Sequence, residues 1–232
     1  MPETRSTSRR RKKVLGVIFD YGKVLSLPQE PSALKQMAEI CEVPVERFSK
    51  LYWESRGPYD RGDMSAEAFW ATMVQDGRVL KPEELEQLVS IDSVSWGRPN
   101  ELILGWAERL RGEGFTVAVL SNMPLEVSRY LVAHRDWLSL FHHLIFSCDV
   151  RAVKPNPVIY QHCLDVMKLT PRDVLFLDDK IVNVKAAVQM GIHALVFDSA
   201  EQVLAHVSGR FDLPMPISSP ESSPATRPPA AE

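Results

Sequence analysis

The stretch Val14-Leu15-Gly16-Val17-Ile18-Phe19-Asp20-Tyr21-Gly22-Lys23-Val24-Leu25 constrains this chain more than any other. Mostly apolar residues, rich in Val and Ile, end in one carboxylate, and then the chain turns. A continuous apolar run of this length reads as a strand buried on both faces, the kind found inside a parallel sheet. A lone carboxylate is expensive to bury, and the ligand crevice of an open α/β sheet lies at the carboxyl ends of its strands. Asp20 is therefore a candidate nucleophile or metal ligand. Taken alone, the stretch fits a solvated turn aspartate at least as well.

From Pro99 onward, strands of the same type alternate with helical patterns. Phe115 to Leu120 ends in Ser121-Asn122, and His143 to Ser147 follows. Val174 to Leu177 ends in Asp178-Asp179, and Ile192 to Phe197 is the last. Helices are expected over Asn100 to Arg111, with Gly112 and Gly114 at its end, after Pro124, from Asn156-Pro157, over Val182 to Met190, and on to Val207. Repeated β-α units imply a parallel sheet with right-handed crossovers, an α/β fold with a doubly wound sheet. Between Ser32 and Ser95 the pattern differs. Apolar residues recur there only at helical spacing, and Ser65 is placed as an N-cap. This block reads as an all-helical insertion after the first strand. Its aromatics Trp53, Tyr59, Phe69 and Trp70 read as core, with one or two able to face a cleft.

A chain of 232 residues, 45% of them hydrophobic, is long enough for one large domain or a core with an insertion. Its net charge of -3 points to no nucleic-acid or membrane partner. Cys41, Cys148 and Cys163 are far apart and odd in number, as expected of reduced thiols in a cytoplasmic protein. No run approaches the roughly 18 apolar residues of a membrane span. Residues 1–13, ending in Arg9-Arg10-Arg11-Lys12-Lys13, read as a disordered basic tail with no apolar signal segment behind it. The Pro- and Ser-rich end reads as a second disordered tail. The six histidines show no ligand spacing, and His142 and His143 point to opposite faces of a strand.

Four strand ends carry polar groups: Asp20, Ser121-Asn122, the loop reaching Lys154, and Asp178-Asp179. In a parallel sheet these ends share one edge. Three carboxylates there repel one another. A divalent cation relieves the repulsion, and hard oxygen donors suit magnesium together with a substrate phosphate. Lys154 and the Ser121 hydroxyl are placed to hold the remaining phosphate oxygens. Individually, Asp178-Asp179 also fits a polar helix start, and Lys154 a surface cation.

Together these residues resemble the motifs of the haloacid dehalogenase-like hydrolases, a superfamily made up mostly of phosphatases. Phe19-Asp20-Tyr21-Gly22-Lys23-Val24 is similar to the first motif, whose leading Asp is the nucleophile. Leu120-Ser121-Asn122 resembles the second, which binds phosphate. Lys154-Pro155-Asn156-Pro157-Val158-Ile159-Tyr160 resembles the third, whose Lys steadies nucleophile and phosphate. Phe176-Leu177-Asp178-Asp179, followed by Asn183, resembles the acidic fourth motif that binds magnesium. The resemblance implies a Rossmann-like core over 14–28 and 99–208, a helical cap over 29–98, and disordered tails at 1–13 and 209–232. It further implies a magnesium-dependent phosphatase acting on a small phosphorylated metabolite through an aspartyl-phosphate on Asp20. The metal would be held by Asp20, the Gly22 carbonyl and Asp179, with Asp178 supporting. Lys154, Ser121 and Asn122 would bind the phosphoryl group.

One position departs from the pattern. Most family phosphatases carry an acid-base Asp two residues after the nucleophile, and here Gly22 stands there. The Asp-x-Gly-x-Val form resembles a branch that includes sugar-1-phosphate phosphatases, whose leaving groups need less protonation. Two other readings follow: a non-catalytic binding module that has lost its acid-base residue, and a 2-haloacid dehalogenase. The acidic pair Asp178-Asp179 argues against the dehalogenase. Lys23 is expected either to contact phosphate or to point to solvent.

Overall fold

The computed structural model describes residues 11–75 and 77–216. Five strands form one parallel sheet: β1 (Gly16–Phe19), β2 (Thr116–Ser121), β3 (His143–Phe146), β4 (Val174–Asp178) and β5 (His193–Val196). Their order is β3-β2-β1-β4-β5. The first strand is central, and Phe19 lies level with Val119 of β2 and Leu177 of β4. After β3 the chain crosses back to the other side of β1. The carboxyl ends of β1 and β4 are therefore the switch point where such sheets open a ligand crevice. Asp20 directly follows the first of these strands, and Asp178 ends the second.

Side chains alternate across the sheet with a period of two. Val17, Phe19, Val117, Val119, Leu175 and Leu177 face a layer made by α6 (Glu101–Gly112), α7 (Leu125–His134) and α11 (Ala200–Arg210). Ile18, Ala118, Leu120 and Phe176 face the opposite layer, where α9 (Pro157–Met167) and α10 (Ile181–Gln189) pack. Burial on both faces explains why these strands are apolar throughout rather than alternating. Asn156 caps α9 by accepting from the Val158 amide at 3.0 Å, as its Asn-Pro start predicts.

Helices α1 (Pro31–Ile40), α2 (Val45–Glu54), α3 (Arg56–Asp60), α4 (Ala66–Ala71) and α5 (Pro82–Ser95) lie between β1 and β2. Ser65 caps α4 through the Ala68 amide. These helices have a core of their own, with Met37, Phe48, Tyr52, Phe69, Trp70, Met73 and Leu88 each fully buried. The chain leaves and re-enters the sheet layer through adjacent segments. The Leu27 amide donates to the Arg98 carbonyl, and the Asn100 amide to the Leu25 carbonyl, each at 2.8 Å.

The packed chain extends past the expected tail boundaries. Lys12 donates its amide to the Arg210 carbonyl and accepts from the Asp212 amide. Phe211 and Leu213 are buried against the sheet layer, and Trp106 Nε1 donates to the Pro214 carbonyl at 2.8 Å. Two isolated apolar residues after a polar stretch carry no periodicity, so this docking was not legible in sequence. The rest of both expected tails lies outside the described residues. No helix among the described residues is long and apolar enough to cross a membrane.

Candidate active site

Asp20 directly follows β1, at the floor of a cavity of about 400 Å³ at the carboxyl edge of the sheet. A single π-type turn, Tyr21–Leu25, follows it, and the Asp20 side chain caps this turn by accepting from the Tyr21 amide at 2.7 Å. Gly22, Lys23, Ser121, Asn122, Lys154 and Asp179 line the same cavity. The fold thus brings the residues proposed from sequence to one edge, with Asp178 directly beneath them.

Lys154 organises the floor. It comes from the loop between α8 (Ser147–Val150) and α9, and its side chain is almost fully buried. All three ammonium protons are used: Nζ donates to the Leu120 carbonyl at 2.8 Å, to Asp178 Oδ2 at 2.7 Å and to Asp20 Oδ1 at 2.8 Å. Asn122 fixes the backbone from which it reaches. Its amide nitrogen donates to the Lys154 carbonyl, and its oxygen accepts from the Lys154 amide at 2.7 Å. The Asn122 side chain, expected to touch substrate, lines the cavity and through these two bonds also positions Lys154.

Asp178 is completely buried and saturated with donors. Besides Lys154, it accepts from the Lys180 amide at 2.8 Å and from Asn183 Nδ2 at 2.9 and 3.0 Å. Burial alone would push its carboxyl up, but Lys154, the Lys180 amide and Asn183 bring it below the usual range. Asp179 turns the other way, into the cavity, where Oδ2 meets Lys23 Nζ at 3.0 Å. Lys23 was expected to contact phosphate or face solvent. Its left-handed backbone, φ 63°, aims it back over the floor, and its half-exposed side chain pairs with Asp179.

One oxygen each from Asp20, Asp178 and Asp179 lie within 4.8 Å of one another. Lys154 and Lys23 pair with carboxylates of this set. Burial pushes the Asp20 carboxyl up to about 7 against the pull of Lys154, with Asp178 and Asp179 adding to the rise. Lys154 itself is held above its usual range, because its two carboxylate partners outweigh its burial. An acidic, oxygen-only set of this kind fits a hard divalent cation.

The walls come mostly from residues that the motifs do not include, Tyr21 and Asn183 being the exceptions. Trp53, Arg56, Asp60 and Trp96 descend from the inserted helical region, and Tyr21, Met123, Val127, Lys180 and Asn183 belong to the sheet layer. Trp53 is the one of the four aromatics singled out in sequence that reaches the cavity; Tyr59, Phe69 and Trp70 are core. The Tyr21 hydroxyl donates to the Trp96 carbonyl at 3.0 Å, which sets the Trp96 ring beside the turn after Asp20. A Cβ added at Gly22 would lie 3.3 Å from Trp96 Cζ3. The position where the resembled motif would carry a carboxylate is thus bounded here by an indole. Nothing local in the sequence signals this, because 74 residues separate the two positions.

The comparisons with known proteins agree with this geometry. A family model described as "Hydrolase: haloacid dehalogenase-like hydrolase" matches residues 17–191. The bifunctional epoxide hydrolase 2 of Mus musculus is 34% identical over 226 residues, which cover 86% of this chain and 40% of that protein. The chain therefore spans less than half the length of that relative. Flavin mononucleotide hydrolase 1 of Arabidopsis thaliana is 24% identical over 164 residues, 70% of this chain and 63% of that one. A HAD family enzyme from Bacteroides thetaiotaomicron, solved with magnesium and inorganic phosphate, shares the fold with a TM-score of 0.66 at 18% identity, covering 79% of this chain and 93% of its own. With the motifs in order, the sheet topology and the family match all in agreement, this chain belongs to the haloacid dehalogenase-like hydrolases.

Proposed function

We propose that the chain hydrolyses phosphate monoesters of a small metabolite, with magnesium, through a phosphoryl group carried on Asp20. The observation that carries this reading is the convergence of Asp20, Asp178 and Asp179 on a space of ligand dimensions, with Lys154 bridging the first two. Relatives named as phosphatases support it: a sesquiterpene phosphatase of Aspergillus oryzae, 28% identical over 99 residues, and a phosphoglycolate phosphatase of Aliivibrio fischeri, 30% identical over 87 residues.

Asp20, Asp179 and the Gly22 carbonyl would hold the magnesium ion, which when bound neutralises part of the phosphate charge and orients the phosphoryl group. Asp20 attacks phosphorus with the oxygen that Lys154 does not hold. Lys154 aligns the nucleophile and pulls it toward its ionised form against the effect of burial, and the Ser121 hydroxyl donates to an equatorial phosphoryl oxygen. Asp178 acts through Lys154, holding its ammonium at the floor. The inserted helical region closes over the cavity as a cap, excludes water and selects the leaving group.

Phosphate release from an aryl phosphate and a panel of sugar phosphates, with and without magnesium, tests the reading beside Asp20→Asn. Magnesium-dependent release that is absent in the variant is the expected result. No release from any ester by the wild type would overturn it. The second reading, a phosphate-binding module without turnover, is favoured by one observation, the missing carboxylate at Gly22. It predicts that phosphate binds in calorimetry while no ester is hydrolysed.

A further inference from the structure

Hydrolysis of an ordinary ester asks for a group that protonates the departing oxygen and later takes a proton from the attacking water. Gly22 supplies none, and Trp96 bounds the space where such a side chain would stand. Among the cavity-lining residues, Asp20 and Asp179 are assigned to nucleophile and metal, and Lys154 has no free proton to give. One further carboxyl group lines the cavity, and it comes from the inserted helical region: Asp60, at the end of α3.

Asp60 is held as a working acid would need to be. Oδ1 accepts from Arg56 Nε at 2.7 Å, one turn earlier in the same helix. Arg56 is anchored in turn by Asp92 Oδ2 at 2.9 Å and by the Tyr52 hydroxyl, all buried. No hydrogen bond to Asp60 Oδ2 is formed among the described residues, which leaves that oxygen for a ligand in the cavity. The backbone is fixed as well. The Asp60 carbonyl accepts from Ser147 Oγ, and Ser147 Oγ accepts from the Met123 amide at 3.0 Å. Asp60 therefore stands two hydrogen bonds from the loop that carries Ser121 and Asn122. Burial raises its carboxyl above the usual range, against the pull of Arg56 and Lys180 and with Asp92 adding to the rise.

We infer that Asp60 is the acid-base residue of this enzyme, supplied by the inserted helices in place of the carboxylate absent at Gly22. The inference rests on the phosphatase reading. As the Asp20–phosphorus bond forms and the ester P–O bond breaks, the Asp60 proton passes to the leaving oxygen, releasing a neutral alcohol. The Asp60 carboxylate then takes a proton from water as that water attacks phosphorus, Asp20 is released, and inorganic phosphate leaves with the acid restored. The sum is ester plus water giving alcohol plus phosphate.

The test compares kcat/KM for p-nitrophenyl phosphate, phenyl phosphate and an alkyl phosphate in wild type, Asp60→Asn and Asp60→Glu. The nitrophenolate ion leaves without a proton, and an alkoxide does not. Asp60→Asn is expected to lower alkyl phosphate turnover by about 10²- to 10⁴-fold, the usual worth of general acid catalysis, while p-nitrophenyl phosphate keeps kcat/KM within about tenfold. It should also show a burst of nitrophenolate, because water attack on the phosphorylated enzyme has lost its base. Asp60→Glu should restore part of the alkyl activity. Equal losses across the three leaving groups, or none, would overturn the inference while leaving the phosphatase reading intact. Absence of wild-type turnover with every ester would overturn both. Should the variants fail to fold, the wild type alone decides: an acid in place gives a shallow dependence of kcat/KM on leaving-group pKa, and a steep one refutes it.

Discussion

At the scale of single residues, the site is set apart by what surrounds Gly22 and Lys23. Trp96 Cζ3 would lie 3.3 Å from a Cβ at position 22, so a larger side chain there must displace the indole or the turn. Gly22→Asp therefore restores the commoner motif without restoring its space. It is expected to lower stability by about 1–3 kcal/mol, the usual cost of overpacking, and to leave phosphate release no faster, as measured by urea unfolding and steady-state assay. Lys23 matters through charge. Its ammonium lies 3.0 Å from Asp179 Oδ2, but the Lys side chain is 53% exposed, which weakens the pair. Lys23→Ala is expected to tighten magnesium binding by about threefold to tenfold, on the order of one kcal/mol of screened Coulomb energy. A magnesium titration of phosphate release reads this directly, and an unchanged midpoint would refute it. Most of the motif residues were legible because they follow the ends of strands, and Lys154 because its loop leads on from β3. Trp96 and Asp60 were not, because their relevance lies in contacts with groups distant in sequence.

At the scale of elements, the inserted helices are joined by a buried polar network rather than by apolar packing alone. Tyr52 on α2, Arg56 and Asp60 on α3, and Asp92 on α5 form one hydrogen-bonded cluster. Removing Asp92 takes away one of the two carboxylates that neutralise buried Arg56 and the acceptor of the Tyr52 hydroxyl, and breaking a buried ion pair in this way costs about 3–5 kcal/mol. Asp92→Ala is accordingly expected to lower unfolding free energy by about that amount in urea titration, with a shift small enough to be surface-like counting against the network. Short α3 is also pinned to the sheet layer. Arg151 donates to the Gly62 carbonyl at 3.1 Å and to Asp63 Oδ1 at 2.7 Å. Gly62 has φ 77°, and a Cβ there would approach the Cys148 carbonyl to 3.0 Å, so the close approach of the two layers depends on this glycine. The apolar periodicity of the helices was readable in sequence. The network was not, since nothing local in the sequence marks Arg56, Asp60 and Asp92 as partners before the helices pack.

At the scale of the whole molecule, the proposed metal site links the charges of the cavity to the stability of the fold. Three carboxylates meet the ammoniums of Lys23 and Lys154 at the carboxyl edge of the sheet. An ion that binds the folded state and not the unfolded chain stabilises it by mass action, about 2.7 kcal/mol at a hundredfold excess over its Kd. Magnesium is therefore expected to raise the melting temperature of the wild type, and chelation to reverse the rise. Asp179→Asn should abolish that response while still folding, because Asp179 faces the cavity and carries no core contact. A melting temperature indifferent to magnesium would remove the metal from the account.

The chain's own order of residues specified its architecture. Strands buried on both faces must be apolar throughout, and alternation with helices leaves a parallel sheet as the arrangement that pairs them, so Asp20, Ser121, Lys154 and Asp178-Asp179 were bound to share one edge. Packing settled the rest. It committed the Asn122 amide to the Lys154 backbone, set Trp96 against Gly22, turned Lys23 onto Asp179 and brought Asp60 from the inserted helices to the cavity. These outcomes depend on distances between residues tens of positions apart, and a local pattern of polar and apolar residues carries no measure of such distances.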